Sequence, residues 1–174
     1  MRKLILSVLL LFVAISPAPT LAEDLVLHQA WTSVYFSPSG GAQAAIIREI
    51  DKARESVRVM SYSFTSAPIA EALLNAHKRG VKVEAVLDKS QKTANYSGAT
   101  FLRNAGIPVW IDHAHAIMHN KVMILDESVV ITGSFNFTRS AEERNAENLL
   151  VIRDRGLARA YLVDWEKHRG HAAP

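Results

Sequence analysis

Apolar residues recur along this chain with two periods, and the alternation between them predicts an α/β domain. The segment around Ser33 to Phe36 reads as a short strand stopped by Ser37-Pro-Ser-Gly-Gly41, after which Ala42, Ile46, Ile50 and Ala53 recur at helical spacing. Residues 57–64 favour a strand. Ser66 then stands where a helix needs a cap, with Pro68 in its first turn, Ile69, Leu73 and Ala76 on one face and Gly80 at its close. Val81, Val83, Ala85 and Leu87 alternate with Lys82 and Glu84, the period of a strand with one face covered. This succession of strand, helix and strand predicts a parallel pair joined by a crossover.

The pattern continues with a helix over 100–105 ended by Gly106, a strand over 107–111, and two strands on either side of Asp126-Glu-Ser128. A strand over 149–152 and a closing helix over 157–168 complete it. The expected fold class is therefore α/β, with a mixed central β-sheet sandwiched by helices.

The first 22 residues stand apart. Arg2 and Lys3 lead an apolar run over 4–15, which passes into Ser16-Pro-Ala-Pro-Thr-Leu-Ala22. Basic, apolar and small-residue regions in that order are the pattern of a signal peptide, and the run is shorter than the roughly 20 residues that span a bilayer. The expectation is a periplasmic or secreted protein with no stable membrane insertion once residues 1–22 are removed, and a single domain over 23–174.

The chain contains no cysteine, so disulfides and thiolate chemistry are excluded and stability must come from packing. Its formal charge of +3 includes Arg2 and Lys3, so the part beyond residue 22 is close to neutral and overall charge does not select a partner. Basic groups such as Lys52, Arg54 and Arg58, or His77, Lys78, Arg79 and Lys82, read as solvated faces.

The chemistry concentrates in residues 119–136, which run His119-Asn-Lys121-Val-Met-Ile-Leu-Asp126-Glu-Ser-Val-Val-Ile-Thr-Gly133-Ser134-Phe-Asn136. On strands, His119 and Lys121 point to one face, as do Ser134 and Asn136. A tight hairpin with Glu127 and Ser128 as its loop would set Lys121 opposite Ser134 and His119 opposite Asn136. An imidazole, a fixed cation, a hydroxyl and an amide, with Gly133 allowing close backbone approach, suit a phosphoryl group. Lys121 would balance its charge, Ser134 and Asn136 would donate to nonbridging oxygens, and His119 could attack phosphorus.

His119-x-Lys121-x4-Asp126 followed by Gly133-Ser134-x-Asn136 resembles the signature of the phospholipase D superfamily. Tyr62-Ser-Phe64, Arg79-Gly-Val-Lys-Val83, Leu87-Asp88 and Asn145-Ala-Glu147-Asn148 resemble the flanking segments in its small, single-signature bacterial endonucleases, the Nuc-like branch. The resemblance implies a phospholipase D-like fold and a reaction through a phosphohistidine that needs no metal or other cofactor. It also implies a homodimer, because two signatures build one active site and this sequence holds one; such a contact is isologous about a two-fold axis. Glu147, by the same resemblance, would hydrogen-bond His119 and fix its tautomer. Asp126 lies about 5 residues and roughly 16 Å along a straight strand from His119, so its expected role is structural, at the turn.

His113 and His115 form a His-x-His pair, but no cysteine accompanies them and no carboxylate is spaced for a known zinc pattern, so no metal site is expected. They are placed instead in the loop entering the active-site strand, where they could touch substrate, as could Lys89, Lys92 and Tyr96 from the loop after Asp88. The expected function is a nonspecific endonuclease acting on DNA or RNA, with His119 as nucleophile and the second subunit's histidine as general acid. Two rivals stay open: a phospholipase D or cardiolipin hydrolase acting on phospholipid, and an inactive nucleic-acid-binding module.

Overall fold

The computed structural model describes residues 25, 27, 30–92 and 98–174. The expected signal peptide and Tyr96 lie outside these residues, as does the side chain of Lys92. In chain order the elements are β1 (Trp31–Ser37), α1 (Ala42–Lys52), β2 (Ser56–Ser61), α2 (Ala67–Lys78), β3 (Lys82–Asp88), α3 (Gly98–Asn104) and β4 (Val109–Asp112). They continue with β5 (Lys121–Leu125), β6 (Val129–Gly133), α4 (Arg139–Glu143), β7 (Glu147–Arg153) and α5 (Arg155–His171).

All seven strands form one mixed sheet in the order β1-β7-β6-β5-β2-β3-β4. β2, β3 and β4 run parallel to one another, and the remaining pairings are antiparallel. As the alternation of strand and helix predicts, α2 connects the parallel pair β2 and β3; Ser66 caps it by accepting the N–H of Ile69, and Gly80 closes it at φ 90°.

Both faces of the central strands are covered, which explains why β5 and β6 are continuous apolar runs. Val57, Val59, Val83, Ala85, Met123, Leu125, Ile131 and Val151 point to the side of α1, α2 and α3, where Ile46, Ile50, Ile69, Leu73 and Leu102 pack on them. Met60, Val86, Val122, Ile124 and Val130 point to the other side, where α5 supplies Ala158 and the fully buried Trp165. Trp165 Nε1 donates to the Val59 carbonyl at 3.1 Å, so the indole is both packed and satisfied.

The β5–β6 hairpin departs from the expected register. Its loop has three residues, Asp126 to Ser128, and pairs Leu125 with Val129 and Val122 with Thr132. Lys121 thus comes level with Gly133 and not with Ser134. The cause is local: Asp126 and Glu127 both adopt left-handed φ values of 48° and 49°, and the Ser128 N–H donates to the Leu125 carbonyl at 3.0 Å. That conformation costs an L-residue energy. Asp126 offsets it by accepting the backbone N–H groups of Arg54, Glu55 and Ser56 at 2.8–2.9 Å, which fastens the hairpin to the loop between α1 and β2. Asp126→Ala should therefore cost about 2 kcal/mol and lower Tm by about 4–8 °C, with turnover per folded molecule unchanged; thermal melts and activity at low temperature check it.

The short helix α4 escapes the sequence pattern, since five residues are too few to show a period. Its N-cap is plain in retrospect, with the Thr138 hydroxyl accepting the Ala141 N–H at 3.2 Å.

Candidate active site

The signature residues gather where β5 begins, β6 ends and β7 begins. Three backbone links tie this end together: Tyr62 N–H donates to the Asn120 carbonyl, and Thr65 and Ser66 N–H both donate to the Phe137 carbonyl. The segment leading to His119 is held from a third side by Asp88 at the end of β3, whose carboxylate accepts the N–H groups of Met118 at 2.8 Å and Ser90 at 2.9 Å. Burial alone would raise the pKa of Asp88, but those donors and nearby Lys89 outweigh it and hold the carboxyl below its ordinary range.

His119 is exposed, and its ring lies against Tyr62 with centroids 4.6 Å apart. Beneath it Lys121 is buried, its Nζ donating to the His119 carbonyl at 2.7 Å and standing 5.2 Å from the centre of the Tyr62 ring. Burial lowers the lysine's affinity for its proton, and the negative charge of Glu147 partly restores it. Tyr62 therefore shapes the site although its residue type alone gave no sign of it. The signal was positional, one residue beyond a strand end beside the signature.

Across from this pair, the Ser134 hydroxyl donates to Glu147 Oε2 at 2.6 Å and accepts from the backbone N–H and side-chain amide of Asn148 at 3.1 and 3.3 Å. Asn145 donates to the second Glu147 oxygen at 3.1 Å. Among the described residues, the hydrogen bonds of Glu147 thus go to Ser134 and Asn145, not to the His119 of its own chain. Asn136 Oδ1 is buried with no hydrogen-bond partner among the described residues. A polar atom left so costs stability, and such costs are tolerated where a ligand supplies the missing partner.

Gly133 is required by close approach. At φ 153°, a Cβ there would lie 2.3 Å from the Asn148 carbonyl oxygen, the same oxygen that accepts from the N–H groups of Ser134 and Phe135. Gly133→Ala should separate β6 from β7, destabilise the fold by about 1–3 kcal/mol and, through displaced Ser134 and Glu147, cut turnover by about 100-fold. Urea melts and steady-state kinetics below the variant's Tm measure the two effects.

Lys89 Nζ donates to the His115 carbonyl at 3.1 Å, His113 is exposed, and the His115 ring turns away to Asp112. These residues, grouped by the sequence as candidate substrate contacts, are therefore divided between two places.

Residues 46–169 match the family described as "Cardiolipin synthase, PLD-like domain". The chain is similar to a solved "phospholipase D family member, Nuc from Salmonella typhimurium", with TM-score 0.79 and 39% identity over 83% of this chain and 97% of that one. The chain belongs to the phospholipase D superfamily. It is a phosphodiesterase of that superfamily, with the superfamily's mixed sheet between helices. It is also 47% identical to a phospholipase D of Rickettsia felis, over 80% of this chain and 70% of that protein. With a mitochondrial cardiolipin hydrolase of Xenopus tropicalis it shares 32% identity, over 87% of this chain and 72% of the relative. Within the phospholipase D superfamily, these names divide between substrates, while the shared chemistry is that of a phosphodiester.

Proposed function

We propose that the protein is a sequence-nonspecific endonuclease that works as an exported homodimer and cleaves nucleic acid phosphodiesters through a phosphohistidine at His119. The observation that carries this reading is an exposed imidazole whose own carbonyl is bonded by a buried cation, with the signature that holds both present once per chain. A second copy placed over that imidazole would complete the cleft.

In the first step a ring nitrogen of neutral His119 attacks phosphorus. The N–P bond forms, the P–O bond to the leaving oxygen breaks, and that oxygen takes a proton from the protonated partner subunit's His119. In the second step water attacks phosphorus, gives its proton to the partner subunit's His119 and displaces the His119 nitrogen. Both histidines return to their starting states. Lys121 and its counterpart balance the charge on the nonbridging oxygens, with Ser134 and Asn136 lining the same pocket. Glu147, which bonds Ser134 and Asn145 within its own chain, would in this reading fix the tautomer of the partner subunit's His119.

Contacts limited to phosphate and sugar give little sequence preference and strong weakening by salt. Likeness along almost the whole of Nuc supports the nuclease reading. A phospholipid substrate is the second reading, favoured by the relatives named phospholipase D and by Ile117, an apolar side chain 56% exposed two residues before His119. No helix among the described residues is long and apolar enough to cross a membrane. Plasmid DNA and cardiolipin vesicles, each incubated with purified protein in excess EDTA, separate the readings. DNA nicking without lipid hydrolysis supports the nuclease; lipid hydrolysis alone rejects it.

A further inference from the structure

Three of the seven histidines in the chain converge on a single carboxylate oxygen. Asp112, the last residue of β4, is fully buried, and its Oδ1 accepts the N–H groups of Ala114 at 2.9 Å and His115 at 3.2 Å. Its Oδ2 meets His115 Nδ1 at 2.9 Å, His168 Nδ1 at 3.0 Å and His171 Nε2 at 3.4 Å. The three rings pack against one another with centroids 4.9, 5.1 and 5.4 Å apart. Each group thus presents one atom able to donate a lone pair to the same small volume, the arrangement in which a divalent cation is held.

We propose that Asp112, His115, His168 and His171 bind one divalent transition-metal ion, zinc(II) by preference, as a structural clamp. Imidazole and carboxylate are ligands that zinc accepts, and four protein ligands close a tetrahedral site. With metal–ligand bonds of about 2.0–2.1 Å, ligand atoms in a tetrahedron stand roughly 3.4 Å apart. The three distances from Asp112 Oδ2 already lie between 2.9 and 3.4 Å, and no two of the four ligand atoms are more than 4.8 Å apart. His115 and His171, at 44% and 31% side-chain exposure, have room to turn inward.

A separate observation points the same way. The far nitrogen of His168 faces Asp164 Oδ2 at 3.6 Å, one helical turn earlier on α5. An outer carboxylate is the usual partner for the far N–H of a metal-bound imidazole, where it fixes the tautomer.

The clamp would join three parts of the chain. It ties the end of β4 and the segment that runs on to Met118 and His119 to the last turn of α5, beside the bridge between Ile111 and Ala173. With all four positions filled by protein, the ion has no place for substrate, so it serves the fold and takes no part at phosphorus. The inference stands whichever phosphodiester is the substrate.

Zinc chloride added to metal-free protein, followed by gel filtration and metal analysis, should leave one zinc per chain, and zinc should raise Tm. His115→Gln and His171→Gln, both at exposed positions, should each weaken zinc binding at least about 100-fold while their metal-free circular dichroism and Tm match the wild type. Substoichiometric zinc on the wild type, or unchanged affinity in both variants, overturns the proposal. Because the readouts are binding and melting, they are independent of whether the protein cleaves DNA or lipid.

Discussion

Replacing His119 by alanine should lower phosphodiester turnover at least about 10⁴-fold and leave the fold intact. The ring is exposed and rests on Tyr62, so its loss strands no buried polar atom. Surface changes of this kind usually move stability by no more than about 0.5 kcal/mol. In the proposed dimer the variant would lack both the nucleophile and the proton donor, so no residual step should resemble the original one. Substrate binding should persist, because Lys121 and the Ser134–Asn136 segment are untouched. Single-turnover cleavage beside a filter-binding titration at fixed salt distinguishes the outcomes. Turnover within tenfold of wild type would place the nucleophile elsewhere. A large loss of affinity with little loss of rate would instead favour a binding module.

Lys121→Met should cut turnover about 1,000-fold without lowering Tm. In the proposed mechanism the cation faces the charge that builds on the phosphoryl oxygens, and methionine keeps the volume while removing the positive charge. Stability moves the other way, since burial makes the charged lysine costly in the folded protein and Glu147 offsets this only in part. The sign follows from the lowered proton affinity of the folded state. The penalty is complete below the folded-state pKa and recedes as pH rises through it toward the unfolded value of about 10.4. The stability advantage of the variant should therefore be largest near pH 7 and shrink near pH 10. Urea melts at the two values test this, and a Tm well below wild type at pH 7 would contradict it.

Much of the architecture was legible because its periods are clean. Val83, Ala85 and Leu87 announce a strand by alternation, and Ser66, Pro68 and Gly80 bound a helix by residue chemistry that acts within a few positions. The buried hairpin strands were legible as apolar runs, but their register was not. It is set by two left-handed residues whose cost is met by the loop between α1 and β2, some 70 positions away. The site followed the same division. His119, Lys121, Ser134 and Asn136 stand out as candidates because they are close in sequence and chemically unlike their surroundings. The bonding of Glu147 to Ser134 and Asn145, and the role of Tyr62, depend on how loops from β2, β6 and β7 meet. The grouping of Asp112 and His115 with His168 and His171 has no signal in sequence spacing, because the two helix residues lie more than 50 positions further along the chain.

Among the described elements, α5 is the helix that covers Met60, Val86, Val122, Ile124 and Val130, and it follows every strand of the sheet in chain order. Until residues 155–171 have emerged, much of that face of the sheet lacks its cover, and Trp165 cannot reach the Val59 carbonyl. A nascent chain thus reaches its stable state late and all at once, however early the β2–α2–β3 unit begins to order. Loss of even a short C-terminal stretch, by nicking or premature termination, would leave a greasy, sticky sheet in place of a slightly weakened enzyme.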